Sequence, residues 1–226
     1  PSGYSQINMM QKVRFKPGER WDLKYGFHYS ATTDYARYDR HIRYRDGMPR
    51  YGEWKYGPQK WMMNNLNITH HGTWKLYDEL TLRLARQDFE ESRISRDFNR
   101  ADRETRIEKV DAWSANLDLN RSIGSRGKLY YGLEGVYNDV ASKGINENIL
   151  TGTESPGPTR YPQSVWSSYA AYLSGQLRVT DKFTLESGLR YNQFLLHAEF
   201  DTTVYPCHFT TADLNNGALT GILGVI

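Results

Sequence analysis

Apolar and polar side chains alternate along much of this chain, a period that places successive side chains on opposite faces of a β-strand. In the first such segment both faces are unambiguous. The apolar face carries Ile7, Met9, Val13 and Phe15, and the polar face carries Asn8, Lys12, Arg14 and Lys16. The pattern recurs in nine segments, which begin near residues 7, 21, 61, 80, 113, 128, 168, 183 and 217. It predicts an all-β chain of about nine strands.

The connections between these segments alternate in length. Tight links are expected at Pro17-Gly18, within Gly72 to Glu79, from Gly124 to Gly127, and at Thr180-Asp181. Long connections span residues 34–59, 90–110, 139–164 and 201–216, well beyond the roughly 2 to 6 residues usual in compact domains. Short turns that alternate with long loops are typical of outer-membrane barrels. We therefore expect an antiparallel transmembrane β-barrel segment with short turns at one end and long extracellular loops at the other.

The distribution of charge agrees with a barrel wall. A Lys or Arg that faces lipid at the bilayer midplane costs about 2–4 kcal/mol, and on six of the predicted strands the apolar face carries no charge. The opposite faces of those strands hold Lys12, Arg14, Asp22, Lys24, Asp118, Lys128, Glu134, Arg178, Glu186 and Arg190. The exception is Arg86, which follows Leu84 on the apolar face of the fourth strand. A β-bulge that resets the register would explain it.

Composition narrows the setting further. Hydrophobic residues make up only 38% of the chain, yet it contains 17 Tyr and 6 Trp, rings that suit a bilayer interface or a carbohydrate- or protein-binding surface. The net charge of +3 is too balanced to favour nucleic acid. A single cysteine, Cys207, offers no disulfide framework. Residues 218–226 read as a strand with no turn after it, so we expect residues 1–226 to be a partial β-barrel domain, excised from a larger receptor barrel.

Short stretches of the chain resemble one family. Residues 181–192 read Asp-Lys-Phe-Thr-Leu-Glu-Ser-Gly-Leu-Arg-Tyr-Asn, which looks like a segment common in the barrels of TonB-dependent outer-membrane receptors. Residues 130–138 and Arg160-Tyr161-Pro162 fit the same resemblance. Barrels of that family have about 22 strands, so nine would be under half.

The resemblance implies a function. Such a receptor lies in the outer membrane of a Gram-negative cell and binds a scarce nutrient: an iron-siderophore, haem, cobalamin or a glycan. An inner-membrane TonB energy complex drives uptake by pulling on a plug domain, which this sequence does not contain. The partners implied are therefore outer-membrane lipid, a small nutrient ligand and the TonB complex, with no nucleic acid, no cofactor and no enzymatic activity.

The first long loop is the candidate ligand-binding segment. It interleaves cationic and aromatic side chains that could hold an anionic or aromatic ligand by guanidinium pairing and ring stacking. The candidates are Arg37, Tyr38, Arg40, Arg43, Tyr44, Arg45, Arg50 and Trp54. The alternative is a β-hairpin that turns at Asp46-Gly47 and extends the strands above the membrane. On the polar strand faces, His28, Glu134, Glu186 and Arg190 are expected to face the lumen.

Other chemistry receives less support. The charges of residues 90–110 nearly cancel, which favours a solvated ion-pair network, with a short helix as an alternative. His70-His71 and Cys207-His208 are adjacent pairs, each able to offer about one ligand, so we expect no metal site. No nucleotide-binding loop or nucleophile motif is present. Three alternatives remain open: a nonspecific porin, a barrel hydrolase of about 8 to 12 strands, and a soluble β-sandwich adhesin.

Overall fold

A computed structural model describes residues 3–204 and 206–226. In chain order the elements are β1 (Gln6–Gly18), β2 (Trp21–Thr32), β3 (Tyr35–Ala36), α1 (Tyr38–His41), β4 (Tyr44–Arg45), β5 (Met48–Pro49), β6 (Tyr51–Tyr56), β7 (Lys60–His71), β8 (Glu79–Asp97), β9 (Asp102–Ile123), β10 (Gly127–Asn148), β11 (Thr153–Gly157), β12 (Gln163–Thr180), β13 (Phe183–Glu199) and β14 (Thr211–Val225). The helix α1 has four residues, and no helix in the described ranges is long and apolar enough to cross a bilayer.

Nine long strands form one sheet in the order β1-β2-β7-β8-β9-β10-β12-β13-β14. Every neighbouring pair is antiparallel, which confirms the predicted fold class and the nine predicted strands. The short strands lie at the loop end. β6 pairs with β3 and β8, β11 pairs with β10, and β4 pairs with β5.

One face of the sheet is apolar and has no protein layer against it. Cross-strand pairing aligns Leu82 with Leu117, Leu117 with Leu133, and Leu173 with Leu189 on this outer face. Leu133 is 57% exposed and Leu189 59% exposed. Among the described residues the buried hydrophobic side chains are only Trp54, Ala170 and Ala198. A sheet with exposed leucines and almost no core is stable only if hydrocarbon covers that face.

The inner face is polar and carries ion pairs that join different strands. Arg14 pairs with Asp22 at 2.6 Å, and Arg190 pairs with Glu134 at 2.5 Å. Arg83 pairs with Asp118, whose second oxygen accepts a hydrogen bond from the Tyr172 hydroxyl. These charges need water or protein opposite them, as in the lumen of a wide barrel.

The apolar band crosses the sheet at an angle. One cross-strand row joins Val13, Tyr25, Leu66, Leu84, Ala115, Gly135, Tyr169, Gln193 and Gly217. In β1 this row lies within the apolar series, whereas in β13 it lies beyond the loop-side end of the series that runs from Phe183 to Tyr191. The band therefore shifts by about 25 Å along the strands over about 35 Å of sheet width. For a horizontal bilayer this corresponds to a strand tilt of about 35°, within the range of membrane barrels.

The position of Arg86 corrects one prediction. The pairing of β8 with β7 and β9 continues through Arg86 without a register shift, so the bulge proposed from the sequence is wrong. Arg86 stays on the outer face, where its guanidinium contacts Asp88 at 3.0 Å and Asp111 at 2.9 Å. It also lies 4.9 Å from the centre of the Trp113 ring. Two carboxylates and an aromatic face replace the water that this charge would otherwise need.

Two of the predicted turns are displaced. β1 continues through Gly18 and turns at residues 19–20, with a register shift between Phe15 and Gly18. Pro17 has no N–H to donate to the ladder, so it lies in this irregular segment and not in the turn. The link between β12 and β13 likewise turns at residues 181–182, with a register shift between Arg178 and Thr180.

The predicted long loops are shorter than expected because strands extend into them. β8 and β9 stay paired as far as Arg96 and Arg103, so the predicted loop 90–110 is mostly a β-hairpin, and the short helix considered for it is absent. β10 likewise reaches Asn148, and β14 begins at Thr211. In these loop-end parts of the strands both faces are polar, so the alternation of apolar and polar side chains that predicted the strands is lost there.

The two faces of the sheet should differ in how well they tolerate a substitution by arginine. Leu133→Arg places a charge in the apolar band and should lower the free energy of unfolding from a bilayer by about 2–4 kcal/mol. Ser114→Arg is the matched control, because Ser114 lies on the inner face opposite Ala85 and Val136. Denaturant titration of the complete protein in phospholipid vesicles measures both. Equal losses for the two variants would mean that the faces do not meet different solvents.

Candidate ligand-binding site

The segment between β3 and β6 folds back onto β6 at the loop end of the sheet. The backbone N–H of Arg37 donates to the carbonyl of Trp54 at 3.1 Å, and Nε2 of His41 lies 3.2 Å from the same oxygen. α1 therefore packs on β6. The Trp54 side chain beneath it is only 6% exposed.

Three guanidinium groups surround two aromatic rings on the inner face. The guanidinium carbons of Arg37, Arg40 and Arg93 lie 5.2, 5.1 and 5.5 Å from the centre of the Trp54 ring. Those of Arg37 and Arg93 lie 5.5 and 5.2 Å from the centre of the Tyr56 ring. We call these five residues, Arg37, Arg40, Trp54, Tyr56 and Arg93, the arginine–aromatic cluster. It spans two strands because Tyr56 of β6 lies opposite Arg93 of β8.

The cluster keeps a positive charge. Asp39 is the nearby acid, at 2.6 Å from Arg37 and 3.8 Å from Arg40. Its hydrogen bond with Arg37 lowers the pKa of Asp39, so that this carboxylate stays ionised. Within the described ranges Asp39 is the only carboxylate that forms an ion pair with a cluster arginine, and the buried Glu108 interacts with Arg93 at longer range. Three guanidinium groups against these two acids leave the cluster suited to an anion.

Several N–H groups here lack acceptors. Within residues 3–204 and 206–226, the buried Nε atoms of Arg40, Arg93 and Arg106 donate no hydrogen bond. Buried donors are normally satisfied, so unpaired ones indicate water or a ligand.

The structure brings together only part of the predicted binding set. Arg37, Arg40 and Trp54 meet in the arginine–aromatic cluster. The other candidates do not contact the cluster rings. Tyr38 is the first residue of α1, and the rest lie in or beside the distal β4–β5 hairpin: Arg43, Tyr44, Arg45 and Arg50. The hairpin considered as the alternative is present, since Asp46 and Gly47 both have positive φ, 51° and 76°, as a two-residue hairpin turn requires.

A buried charged group lies next to the cluster and was not predicted. Glu108 is 4% exposed, and neither of its carboxylate oxygens accepts a hydrogen bond from any described residue. The side chains that influence its charge are Glu91, Arg93, Arg106 and Arg160. The expectation of a fully solvated ion-pair network is therefore wrong on this face. Partly exposed pairs do occur on the opposite face, where Arg103 contacts Glu147 at 2.5 Å.

A strap formed by residues 158–162 covers this region. Arg160 reaches Glu91 at 2.9 Å, and its backbone N–H donates to the Ser142 hydroxyl at 3.2 Å. The Gln163 side chain donates to the Ser142 carbonyl at 2.6 Å. The spacing of Glu104, Arg106 and Glu108 places them on one strand face, but the other face is also polar, so the sequence did not show which face is buried.

The four residues expected to face the lumen lie on the polar face of the sheet. Arg190 pairs with Glu134, Glu186 accepts a hydrogen bond from Gln176, and the His28 ring lies 6.1 Å from Trp61. They are spread over three strands, β2, β10 and β13, and do not form one site.

A close approach on this face depends on a glycine. A Cβ at Gly132 would lie 2.7 Å from the Tyr172 ring, which crosses this position to reach Asp118. Gly132 therefore allows the tyrosine to lie flat on the sheet.

The histidine and cysteine pairs do not assemble a metal site. His70 hydrogen-bonds Tyr77 at 3.0 Å, and His71 contacts Glu79 at 3.1 Å. Cys207 is a free, exposed thiol. In the part of the chain that the structure describes, no three His, Cys, Asp or Glu side chains are grouped to hold a metal ion.

Comparison with known families resolves the identity of this fold. A family model described as TonB dependent receptor-like, beta-barrel, matches residues 7–226. The chain belongs to the TonB-dependent receptor β-barrel family. The resemblance noted in residues 181–192 is thereby confirmed, and the match extends over nearly the whole sequence.

Solved structures show the same fold. The copper transporter OprC superposes with a TM-score of 0.77 at 10% identity, over 98% of this chain and 35% of that one. The ferric citrate transporter FecA, in unliganded form, gives 0.65 at 14% identity over 99% and 34%. The siderophore receptor PiuA from Acinetobacter baumannii gives 0.63 at 12% identity over 98% and 40%. This TonB-dependent receptor segment thus spans between about a third and two fifths of the lengths of these three solved chains. A search of curated proteins finds no match.

Burial of Glu108 predicts a pH-dependent stability at the loop end. Desolvation raises the pKa of Glu108, so the folded chain holds this proton more tightly than the unfolded chain. The free energy of unfolding therefore falls as pH rises from the unfolded pKa through the folded one. Glu108→Gln should remove this loss and slow hydrogen exchange of neighbouring amides at neutral pH, with the difference vanishing in acid.

Glu91→Gln is the matched control. It removes the partner of Arg160 and should speed exchange around residues 158–162. Faster exchange in Glu108→Gln at neutral pH would contradict the effect assigned to burial.

Proposed function

We propose that this chain is part of the barrel of an outer-membrane receptor in a Gram-negative cell, which takes up a scarce nutrient with energy from the TonB complex. Family membership supports the class of protein. In this proposal residues 1–226 form a section of a larger barrel, and the plug domain and the energy complex are partners that act beyond these residues.

The arginine–aromatic cluster is the observation that carries the proposal. It lies on the polar face at the loop end, where a ligand from outside the cell would arrive. Guanidinium groups bind carboxylate and phosphate oxygens, and aromatic rings stack on flat or apolar ligand surfaces. Among the expected ligand classes, iron-siderophores, haem, cobalamin and glycans, this chemistry favours an anionic iron chelate or haem. The unpaired Nε atoms of Arg40 and Arg93 supply donors that such a ligand would satisfy.

The ligand-binding role of Arg43, Arg45 and Arg50 receives less support. These side chains lie around the exposed hairpin, so we propose that they contribute to attraction at long range and not to direct contact. Tyr38 of α1 and Tyr44 of the hairpin are both exposed, and in this proposal they contact a large ligand as it enters.

A binding experiment tests the site. In the complete receptor, Arg40→Gln and Arg93→Gln should each weaken binding of an anionic chelate by about 10- to 150-fold, because a hydrogen bond to a charged group contributes about 1.5–3 kcal/mol. Titration calorimetry with ferric citrate, a ferric hydroxamate, haem and cobalamin as probes identifies the ligand class. Arg45→Gln on the hairpin is the control and should change affinity little at physiological salt.

An uptake experiment with the same receptor distinguishes active transport from passage through a nonspecific pore. Uptake of the bound probe should stop when the inner membrane is de-energised, whereas a porin would continue to equilibrate it.

For the binding experiment, full affinity in both Arg40→Gln and Arg93→Gln would remove the cluster from the binding site.

A further inference from the structure

One turn of the sheet differs from the other three. The β1–β2 and β12–β13 turns have two residues and the β9–β10 turn has three, whereas the β7–β8 connection contains the seven residues 72–78. It does not extend beyond the strand ends. Instead it folds against the outer, apolar face of β9 and β10. We call residues 72–78 the flap.

Hydrogen bonds hold the flap in this position. Nη1 of Arg121 donates to the Trp74 carbonyl at 2.7 Å and to Asp78 at 2.6 Å. The Ser122 N–H donates to the other oxygen of Asp78 at 2.6 Å. The Tyr131 hydroxyl donates to the Leu76 carbonyl. Arg121 and Tyr131 have the same strand parity as the outer leucines, which places the flap on that face. The flap is therefore a defined surface.

The flap presents large apolar side chains outward. Trp74 is 61% exposed and Leu76 68% exposed. Trp74 stacks on Tyr77 with the rings 9° from parallel, and Tyr77 in turn hydrogen-bonds the buried His70. Trp21 of β2 packs on the same histidine at 4.3 Å. Such an arrangement is costly in water, and it is favourable where amphipathic rings meet the edge of a bilayer.

Two positive charges at the flap have no ion-pair partner among the described residues, whereas its acidic side chains do. Asp78 is bound to Arg121, and Glu79 contacts His71. Lys75 in the flap and Arg126 in the neighbouring turn form no ion pair with any residue in the described ranges. Cations that flank exposed rings complement an anionic lipid surface.

We propose that the flap is an interfacial anchor that docks on anionic phospholipid. Trp74 and Leu76 enter the boundary between acyl chains and headgroups, and Lys75 and Arg126 contact the headgroup phosphates. Short turns face the periplasm in barrels of this kind, so the lipid is that of the periplasmic leaflet. The anchor is independent of the nutrient ligand.

Depth-dependent quenching tests the anchor in the complete receptor, reconstituted in phosphatidylcholine vesicles. The vesicles contain brominated phosphatidylglycerol or brominated phosphatidylcholine at equal mole fraction. The Trp74 signal is the wild-type emission minus that of Trp74→Phe. Brominated phosphatidylglycerol should quench it several-fold more strongly, since one cation near an anionic surface corresponds to an enrichment of about fivefold. The double variant Lys75→Gln/Arg126→Gln retains every tryptophan and should bring the ratio close to one.

Trp113 provides the internal control. It is exposed on the outer face nearer the loop end, beside an arginine that two aspartates already neutralise, so its signal, obtained with Trp113→Phe, should not distinguish the two lipids. Equal quenching of Trp74 by both lipids would overturn the headgroup preference. A Trp74 signal that neither lipid quenches would overturn the anchor itself.

Discussion

A charge that faces hydrocarbon costs several kcal/mol, whereas the same charge on the opposite strand face is solvated. This difference orders the whole sheet. It explains why Leu117, Leu133, Leu173 and Leu189 share one face with no protein layer against it, and why ion pairs gather on the other. Arg86 shows the limit of the rule: the charge is tolerated on the outer face because Asp88, Asp111 and the Trp113 ring surround it. An isolated arginine at that position would have no comparable compensation.

This constraint applies only where a strand face meets hydrocarbon, and the strands extend beyond the bilayer. β9 and β10 each contain 22 residues, about twice the length needed to cross a bilayer. Beyond the apolar band both faces of these strands meet water, so both can carry charge. The arginine–aromatic cluster and Glu108 lie in this upper region. Binding chemistry that hydrocarbon would forbid becomes available there, on a scaffold whose register the membrane-spanning part has already set.

The difference between the membrane-spanning part and the loop-end part of the strands explains which features could be predicted from the sequence. The nine strands and their faces were predictable because lipid on one side and water on the other impose a period of two. Residues 103–109 gave no such signal, since Ile107 is the one apolar side chain on its face and Glu104, Arg106 and Glu108 occupy the other. The composition of the first loop indicated Arg37, Arg40 and Trp54. Arg93 was not predictable as their partner, because it joins them only through the pairing of β6 with β8, which are distant in sequence.

The two ends of the sheet are mechanically linked. β8 begins at Glu79, directly after the flap, and reaches Arg93 in the arginine–aromatic cluster, about 45 Å along the strand. The pairing of β8 with β9 is continuous over this distance, from Glu79 and Asn120 to Arg96 and Arg103. A continuous antiparallel ladder resists sliding, because a slip of one residue would turn every outer leucine inward. The apolar band therefore sets the height of the strand pair, and the ladder carries that height to the cluster, so the same leucines that hold the wall in lipid also position the arginines above it.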